Sequence, residues 1–244
     1  PKWNIWEYTF ATDELRRLIV SDLTAQQGHD LWPHYLPDGR IIFSSTRQQT
    51  AKAILLNDGK PQFDARDEDR DEPAFVLHVM RDDGRDEFKQ VSFNQSSDFE
   101  PTVLDSGKVL FSRWDHAGNV NAINLYRMNP DGTELELFYG AKSHQTGTNN
   151  GTVQFMGARE MPDGRIMAIV RPFNHPELGG AITIIDAPTY VENTQPIARY
   201  AGMTGPAQTP ATPNQVRTDL LPSQGGRFSS AFPQSLHVAG ASRA

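Results

Sequence analysis

Short apolar runs separated by polar turns recur along the chain, and three of them share one pattern. In each, an extended run leads into a two-residue turn and then into a β-branched or aromatic run. The turns are Asp38-Gly39, Ser106-Gly107 and Asp163-Gly164. Asp-Gly between apolar runs is typical of a tight hairpin, because a type I′ turn needs positive φ at both central residues. The pattern therefore predicts three hairpins whose second strands, at residues 41–43, 109–111 and 166–169, are buried.

Two of the three copies align without a gap, which indicates an internal repeat. Their equivalent residues are Pro33 and Pro101, Gly39 and Gly107, and Phe43 and Phe111. A second motif follows each first one, at residues 75–91, 124–138 and 180–188, and it begins with another apolar run. The N-terminal residues 5–19 match residues 125–139 of this second motif. We therefore expect half of a four-stranded unit, then three whole units, then a tail.

Four-stranded units in series are typical of a β-propeller, because one blade cannot bury both faces of its sheet and stacking against neighbours does so. A β-sandwich with similar hairpins is the alternative, and the shared turns and register argue against it. The sequence thus predicts an all-β, incomplete propeller of about three and a half four-stranded antiparallel blades. The predicted parts are 1–28 (outer strands of a preceding blade), 29–94 (a blade with an insertion at 48–74), 95–142 and 143–204 (two blades), and 205–244 (a linker and a truncated start of a further blade).

The end units of such an open arc would lack a neighbour on one side. Stacking buries the apolar faces of blades, so an end unit without a neighbour exposes one of its faces. We therefore expect residues 3–18 and 205–244 to be poorly packed and the isolated chain to associate.

Composition narrows the classes of function. The formal charge of −7 and the pI near 5.5 argue against a nucleic-acid partner, which leaves a basic footprint. No apolar run approaches the ~20 residues of a membrane span. The chain has no cysteine, which excludes disulfides, zinc–thiolate sites and the attachment of c-type haem. The motifs of zinc proteases, α/β-hydrolases and phosphate-binding loops are absent as well, which favours a non-catalytic module.

The alternative is a propeller that binds a small ligand or a metal, as an enzyme or otherwise, on one loop face. Loops that connect blades surface at the propeller faces, where ligand sites gather. The candidate ligand-binding residues there are Trp114, Asp115, His116, His144, Asn150, Arg171 and His175. If His29 and the other three histidines meet near the axis, they can hold a divalent metal. The competing interpretation is structural: a tryptophan packed between blades, and histidines in ordinary surface or core positions. We expect no cofactor, with the metal as the alternative.

The two motifs together resemble the TolB-like (PD40, WD40-like) propeller repeats, whose blades open on D-x-x-P and continue through a Pro-Asp-Gly hairpin. Asp30 and Pro33 match this pattern, as do Asp98 and Pro101. The third copy departs from it, with Phe155 and Ala158 in those places. The resemblance implies a propeller scaffold that presents its loops to other molecules.

More narrowly, the order of segments from "SRWD" to "GGAITIID" is similar to the propeller domain of the hydrazine synthase alpha-subunit group, over about residues 28–190. This resemblance implies a bacterial periplasmic or extracytoplasmic protein of which the chain is a fragment. For a non-catalytic module, we expect the partners to be another protein or other domains of the parent chain. The haem chemistry of that group does not carry over, because the chain has no cysteine to attach a haem.

Overall fold

The computed structural model describes residues 2–47, 66, 73–173 and 179–233, so most of the predicted insertion at 48–74 lies outside the described residues. A hairpin comes first, followed by a short helix; they are β1 (Trp6–Thr9), β2 (Glu14–Arg17) and α1 (Asp22–Ala25). Three four-stranded antiparallel sheets follow in chain order. No helix in the described part of the chain is long and apolar enough to cross a membrane.

Each sheet takes its strands from one stretch of sequence. The first is β3 (Asp30–Tyr35), β4 (Ile41–Ser45), β5 (Val76–Met80) and β6 (Phe88–Gln90). The second is β7 (Asp98–Val103), β8 (Val109–Ala117), β9 (Val120–Met128) and β10 (Glu136–Tyr139). The third is β11 (Val153–Glu160), β12 (Ile166–Pro172), β13 (Ala181–Ile185) and β16 (Gln208–Pro210). Between β13 and β16 lies a separate small hairpin, β14 (Tyr190–Glu192) and β15 (Gln195–Pro196).

The three predicted hairpins are confirmed, but their turns are not of type I′. Gly39, Gly107 and Gly164 have φ near +80°, whereas the residues before them are not among the described residues with positive φ. Gly39 donates its amide to the Leu36 carbonyl at 2.9 Å, and the other two turns repeat this bond. This geometry is a type I turn followed by a glycine in the left-handed region. Proline in the first central position, as at Pro37, favours it because the ring fixes φ near −65°.

The sheets pack face to face in chain order. Strand β7 contacts the first sheet, and β11 contacts the second. Phe111 belongs to the apolar core between the first two sheets, and Leu110 belongs to the core between the second and third. Phe43 lies in a third core, shared by the first sheet and the N-terminal segment. Phe43 and Phe111 are both 0% exposed, which confirms that they are buried.

Two predictions about the ends of the arc need correction. Residues 3–18 are not poorly packed throughout, because Ile5 and Leu18 are buried against the first sheet. The third sheet takes its fourth strand, β16, from beyond the predicted range 143–204, and Thr183 pairs with Pro210 there. The residues between β13 and β16 form the β14–β15 hairpin and a 3₁₀ turn at 198–200, which interrupt the repeat pattern. The predicted start of a further blade makes one bridge, between Phe228 and Gly180.

The first residue of the D-x-x-P motif makes a buried ion pair in two of the blades. Asp30 pairs with Arg47 at 2.5 Å, and Asp98 pairs with Arg113 at 3.2 Å. In the third blade the equivalent residue, Phe155, lies opposite Val170. The same position is therefore ionic in two blades and apolar in the third.

We expect the Asp98 carboxyl to make stability fall with rising pH between about 4 and 6. Burial raises the pKa of Asp98 to about 6, and the Arg113 guanidinium opposes the shift. The pKa of an unfolded aspartate is about 4, so the folded state holds this proton more tightly, and the free energy of unfolding decreases by about 3 kcal/mol across the window. Below a pH of about 4 the Asp98 carboxyl is protonated in both the folded and the unfolded state, so it no longer makes the stability depend on pH.

Urea unfolding of the wild type and of Asp98→Asn at several pH values measures this contribution, because the asparagine does not titrate. The stability difference between the two proteins should change in favour of Asp98→Asn as the pH rises from 4 to 6. A difference that stays constant over this range would refute the raised pKa.

Candidate functional site

The predicted loop face contains an aromatic stack at the end of β8. The rings of Trp114 and His116 are stacked with centroids 4.8 Å apart and an angle of 6° between their planes. They share a face because alternate residues of a strand point the same way. Phe173, at the end of β12, meets the Trp114 ring edge-on at 6.1 Å. Trp114 therefore packs between the second and third blades, which is the structural interpretation of this residue.

Asp115 points to the other face of β8 and joins a hydrogen-bond network. Its Oδ2 accepts from Asn124 Nδ2 at 2.7 Å and from the Tyr126 hydroxyl at 3.1 Å. Asn124 Oδ1 in turn lies 2.8 Å from His144 Nε2, and the other ring nitrogen of His144 contacts the Val153 carbonyl. Both ring nitrogens therefore face protein oxygens, which favours a structural role for His144.

His144 is partly buried in this network. Burial lowers the pKa of His144, while the contact with the Val153 carbonyl and the charges of Glu192 and Asp115 oppose the shift. A neutral imidazole can donate only one of its two hydrogen bonds here. The side chain also packs against the Phe155 ring at 5.2 Å.

The remaining predicted residues do not join this network. Asn150 is exposed in a 3₁₀ turn, with φ of 59°. Arg171 is half-buried on β12 and interacts electrostatically with Glu100 and Arg227. His175 lies outside the described residues. His29 accepts from the Trp3 amide at 3.1 Å. Within the described ranges, no three histidine or acidic side chains are arranged to hold a metal. A ligand or metal at the loop face stays a prediction.

The structure places a second candidate site where the first strands of the three sheets meet. Each of these strands, β3, β7 and β11, has a bulge at the same step of the repeat. The residue at the bulge has positive φ in every case: Trp32 (54°), Glu100 (51°) and Gly157 (57°). A non-glycine residue in the left-handed region costs roughly 1–2 kcal/mol. Strain of this kind gathers at functional sites.

A cavity of about 300 Å³ lies between these bulges. It is lined by residues 32–34, 100–101 and 157–159 of the three strands and by residues 229–231 of the C-terminal segment. Equivalent positions of three successive blades thus face one space, as in the central part of a propeller. Cavities of this size are at the lower end of small-molecule sites.

The ionisable groups of this axial cavity are Glu100, Arg159 and His34. Glu100 accepts from the Gly157 amide at 2.5 Å. Burial raises the pKa of Glu100, and the Gly157 amide and the charges of Arg159 and Arg171 oppose the shift. Arg159 Nη1 lies 3.0 Å from His34 Nε2. Burial and the Arg159 charge lower the pKa of His34, so a neutral imidazole accepts this hydrogen bond.

Sequence reasoning missed the axial cavity, although the repeat carried a signal. Its bulge residues occupy the third position of the D-x-x-P motif, and His34 and Arg159 lie one residue after the motif; no turn or metal motif marks either position. The third copy has a glycine in that position, Gly157, and glycine is the residue that most readily adopts positive φ. Aligning Gly157 with Trp32 and Glu100 would have indicated strained backbone at both.

Comparisons with known proteins support the fold. No protein-family model and no curated protein matches the chain. Hydrazine synthase from Kuenenia stuttgartiensis is similar in structure, with a TM-score of 0.54 and 16% identity over 86% of this chain and 29% of that chain. A putative gluconolactonase (TM-score 0.44, 15% identity, 88% of this chain, 58% of that chain) is also similar.

A third similar structure is oligogalacturonate lyase from Vibrio parahaemolyticus (TM-score 0.43, 11% identity, 75% of this chain, 45% of that chain). The chain therefore spans only part of the length of each of these proteins. At these identities the similarity bears on the fold alone, and it rests on the hydrazine synthase structure. The described residues form an all-β, incomplete propeller of four-stranded antiparallel sheets.

Proposed function

We propose that this chain is a non-catalytic binding module of the TolB-like propeller type, without a cofactor of its own, in a longer bacterial extracytoplasmic protein. Its N-terminal hairpin, β1–β2, would dock against another domain of that protein or against a protein partner. The observation that carries this proposal is the apolar outer face of the hairpin. The D-x-x-P repeats support the TolB-like type, and the resemblance described above supports the location.

The two faces of the hairpin differ in character. Glu7 and Arg16 point toward the first sheet, where Arg16 makes an ion pair with Asp82 at 2.5 Å. Trp6 and Leu15 lie on the opposite face and are 56% and 64% exposed. The inner face is thus anchored to the first sheet, while the outer face presents large apolar side chains to solvent.

Further exposed aromatic residues extend this outer face. Tyr8, opposite Leu15 in the hairpin, packs edge-on against Phe10 with ring centroids 5.0 Å apart. Phe10 is 90% exposed. Contiguous exposed apolar surface that is rich in aromatic residues is typical of protein interfaces.

The occupant that fits this face best is a further sheet. The hairpin has two strands where each of the following blades has four. Every other interface between consecutive sheets in the described residues buries an apolar core. A neighbouring blade would therefore complete the pattern, since stacking is what buries the faces of propeller blades.

We expect the isolated chain to self-associate through the hairpin at micromolar concentrations, because no part of the chain that the structure describes covers its apolar face. Sedimentation velocity of the wild type and of the double variant Trp6→Ser/Leu15→Ser tests this. The variant should be monomeric. A matched control is Val120→Ser, which removes an apolar side chain that is 52% exposed on β9 and should leave the association unchanged. A wild type that stays monomeric and unfolds cooperatively would refute the proposal.

A further inference from the structure

The axial cavity combines cationic groups with one acid in a protein that is acidic overall. Arg159 lies at its wall, and Arg171 lies within electrostatic range of Glu100. Arg159 has no carboxylate within 4.0 Å among the described residues. Arg159 instead contacts the His34 ring and the Phe232 ring, and the centroid of the Phe232 ring is 4.9 Å from the guanidinium carbon. A guanidinium has five donors in a fork that matches a carboxylate, and among the described residues only a donor on Nη1 has a hydrogen-bond partner.

Glu100 supplies the complementary acceptor. Its Oε2 accepts from the Gly157 amide, which leaves Oε1 and further lone pairs for another donor. The hydroxyl-bearing residues Ser229 and Ser230 line the same cavity. The wall thus offers a donor fork, hydroxyl groups and a carboxylate acceptor within one small space.

From this arrangement we infer that the axial cavity binds a small hydroxycarboxylate anion. The carboxylate of the ligand pairs with Arg159, and a hydroxyl group of the ligand donates to Glu100. An anion without a hydroxyl group can pair with Arg159 but cannot donate a hydrogen bond to Glu100. Its negative charge is then repelled by Glu100, and no hydrogen bond compensates for this repulsion. The site should therefore prefer a hydroxycarboxylate over the matching simple carboxylate.

Binding is independent of the hairpin interface. The cavity lies between β3, β7 and β11, whereas the proposed interface lies on the outer face of β1–β2. The ligand site therefore does not depend on whether a partner covers the hairpin, and either proposal can fail without the other.

Titration of the full chain with malate, succinate and inorganic phosphate, followed by ¹H–¹⁵N NMR, tests the inference. The reporters are the Gly157 amide and the Arg159 Nε–H. We expect saturable shifts with malate and an affinity for malate roughly threefold or more above that for succinate, the factor that one ordinary hydrogen bond contributes. Phosphate should bind more weakly than malate. Equal affinity for all three anions would overturn the hydroxycarboxylate specificity, and the absence of any saturable shift would overturn the site.

Two variants separate the roles of the charged residues. Arg159→Gln should weaken malate binding roughly tenfold or more, because it removes the charge-assisted pair. Glu100→Ala leaves the ligand hydroxyl without a partner at this position, and it should bring malate and succinate to similar affinities. Arg217→Gln is the matched control, since Arg217 pairs with Asp219 at a different place and should bind malate as the wild type does. The dispersion of the NMR spectrum reports whether each variant is folded. Undiminished malate binding by a folded Arg159→Gln protein would overturn the inference.

Discussion

Truncating Phe111 to Ala is expected to lower the free energy of unfolding by about 3–5 kcal/mol. The side chain is 0% exposed and belongs to the core between the first two sheets. Its ring lies 6.3 Å from that of Tyr126, the residue opposite on β9. Removing the ring therefore leaves a cavity that the paired strands on both sides cannot easily fill. Phe43→Ala should have a similar effect, because Phe43 occupies the equivalent position in the first blade and is also fully buried.

Urea unfolding, monitored by circular dichroism and by tryptophan fluorescence, measures both losses. Coincidence of the two probes establishes the two-state behaviour that the comparison needs. Val120→Ala is the control, because Val120 is 52% exposed on β9, away from the hairpin, and its loss should change stability by less than about 0.5 kcal/mol. If the Phe111 variant lost no more than this control, the alignment of the blades around Phe43 and Phe111 would be wrong.

The repeat predicted the fold well because its signals are local. A glycine that must adopt positive φ stands at each hairpin turn, and β-branched residues follow it. The turn type was predicted wrongly for a reason that is also local. Pro37 and Pro162, and Asp105 in the second copy, are compatible with a type I turn, and only the glycine that follows the turn has positive φ. Strand β16 was not predicted, because an insertion separates it from β13. The spacing of the repeat therefore does not indicate where the fourth strand lies.

The sites could be predicted less completely, because they depend on contacts between distant residues. The pairing of Trp114 with His116 follows from alternation along one strand. In contrast, the neighbours of Arg159 come from β3 and from the C-terminal segment, far away in the sequence. The positive φ of Trp32 and Glu100 has no local sequence signal, since neither residue favours it. Such a site can be recognised only in the folded structure, where β3, β7 and β11 lie around one cavity.

Removing the Asp30 carboxylate is the second substitution with a large expected effect. Asp30→Ala should lower the free energy of unfolding by about 3–5 kcal/mol, because it leaves a buried arginine without its counter-ion. Asp30 Oδ1 accepts from Ser45 Oγ at 2.6 Å and from Arg47 Nε at 2.9 Å. The Asp30 and Arg47 side chains are 0% and 6% exposed, and the guanidinium also lies over the Phe88 ring. Solvent therefore cannot replace the lost carboxylate without a rearrangement.

The third blade indicates how the loss can be reversed. There the position of Asp30 holds Phe155, and its strand partner Val170 stands where the first blade has Ser45, so apolar side chains fill the place of the buried carboxylate. Replacing a buried ion pair as a whole by apolar residues of similar size is often neutral or stabilising, whereas breaking it is not. The double variant Asp30→Leu/Arg47→Met should thus recover most of the stability that Asp30→Ala loses. Urea unfolding of the wild type, Asp30→Leu, Arg47→Met and the double variant forms a thermodynamic cycle for this pair. Additive losses in the cycle would show that Asp30 and Arg47 stabilise the blade independently, contrary to this account.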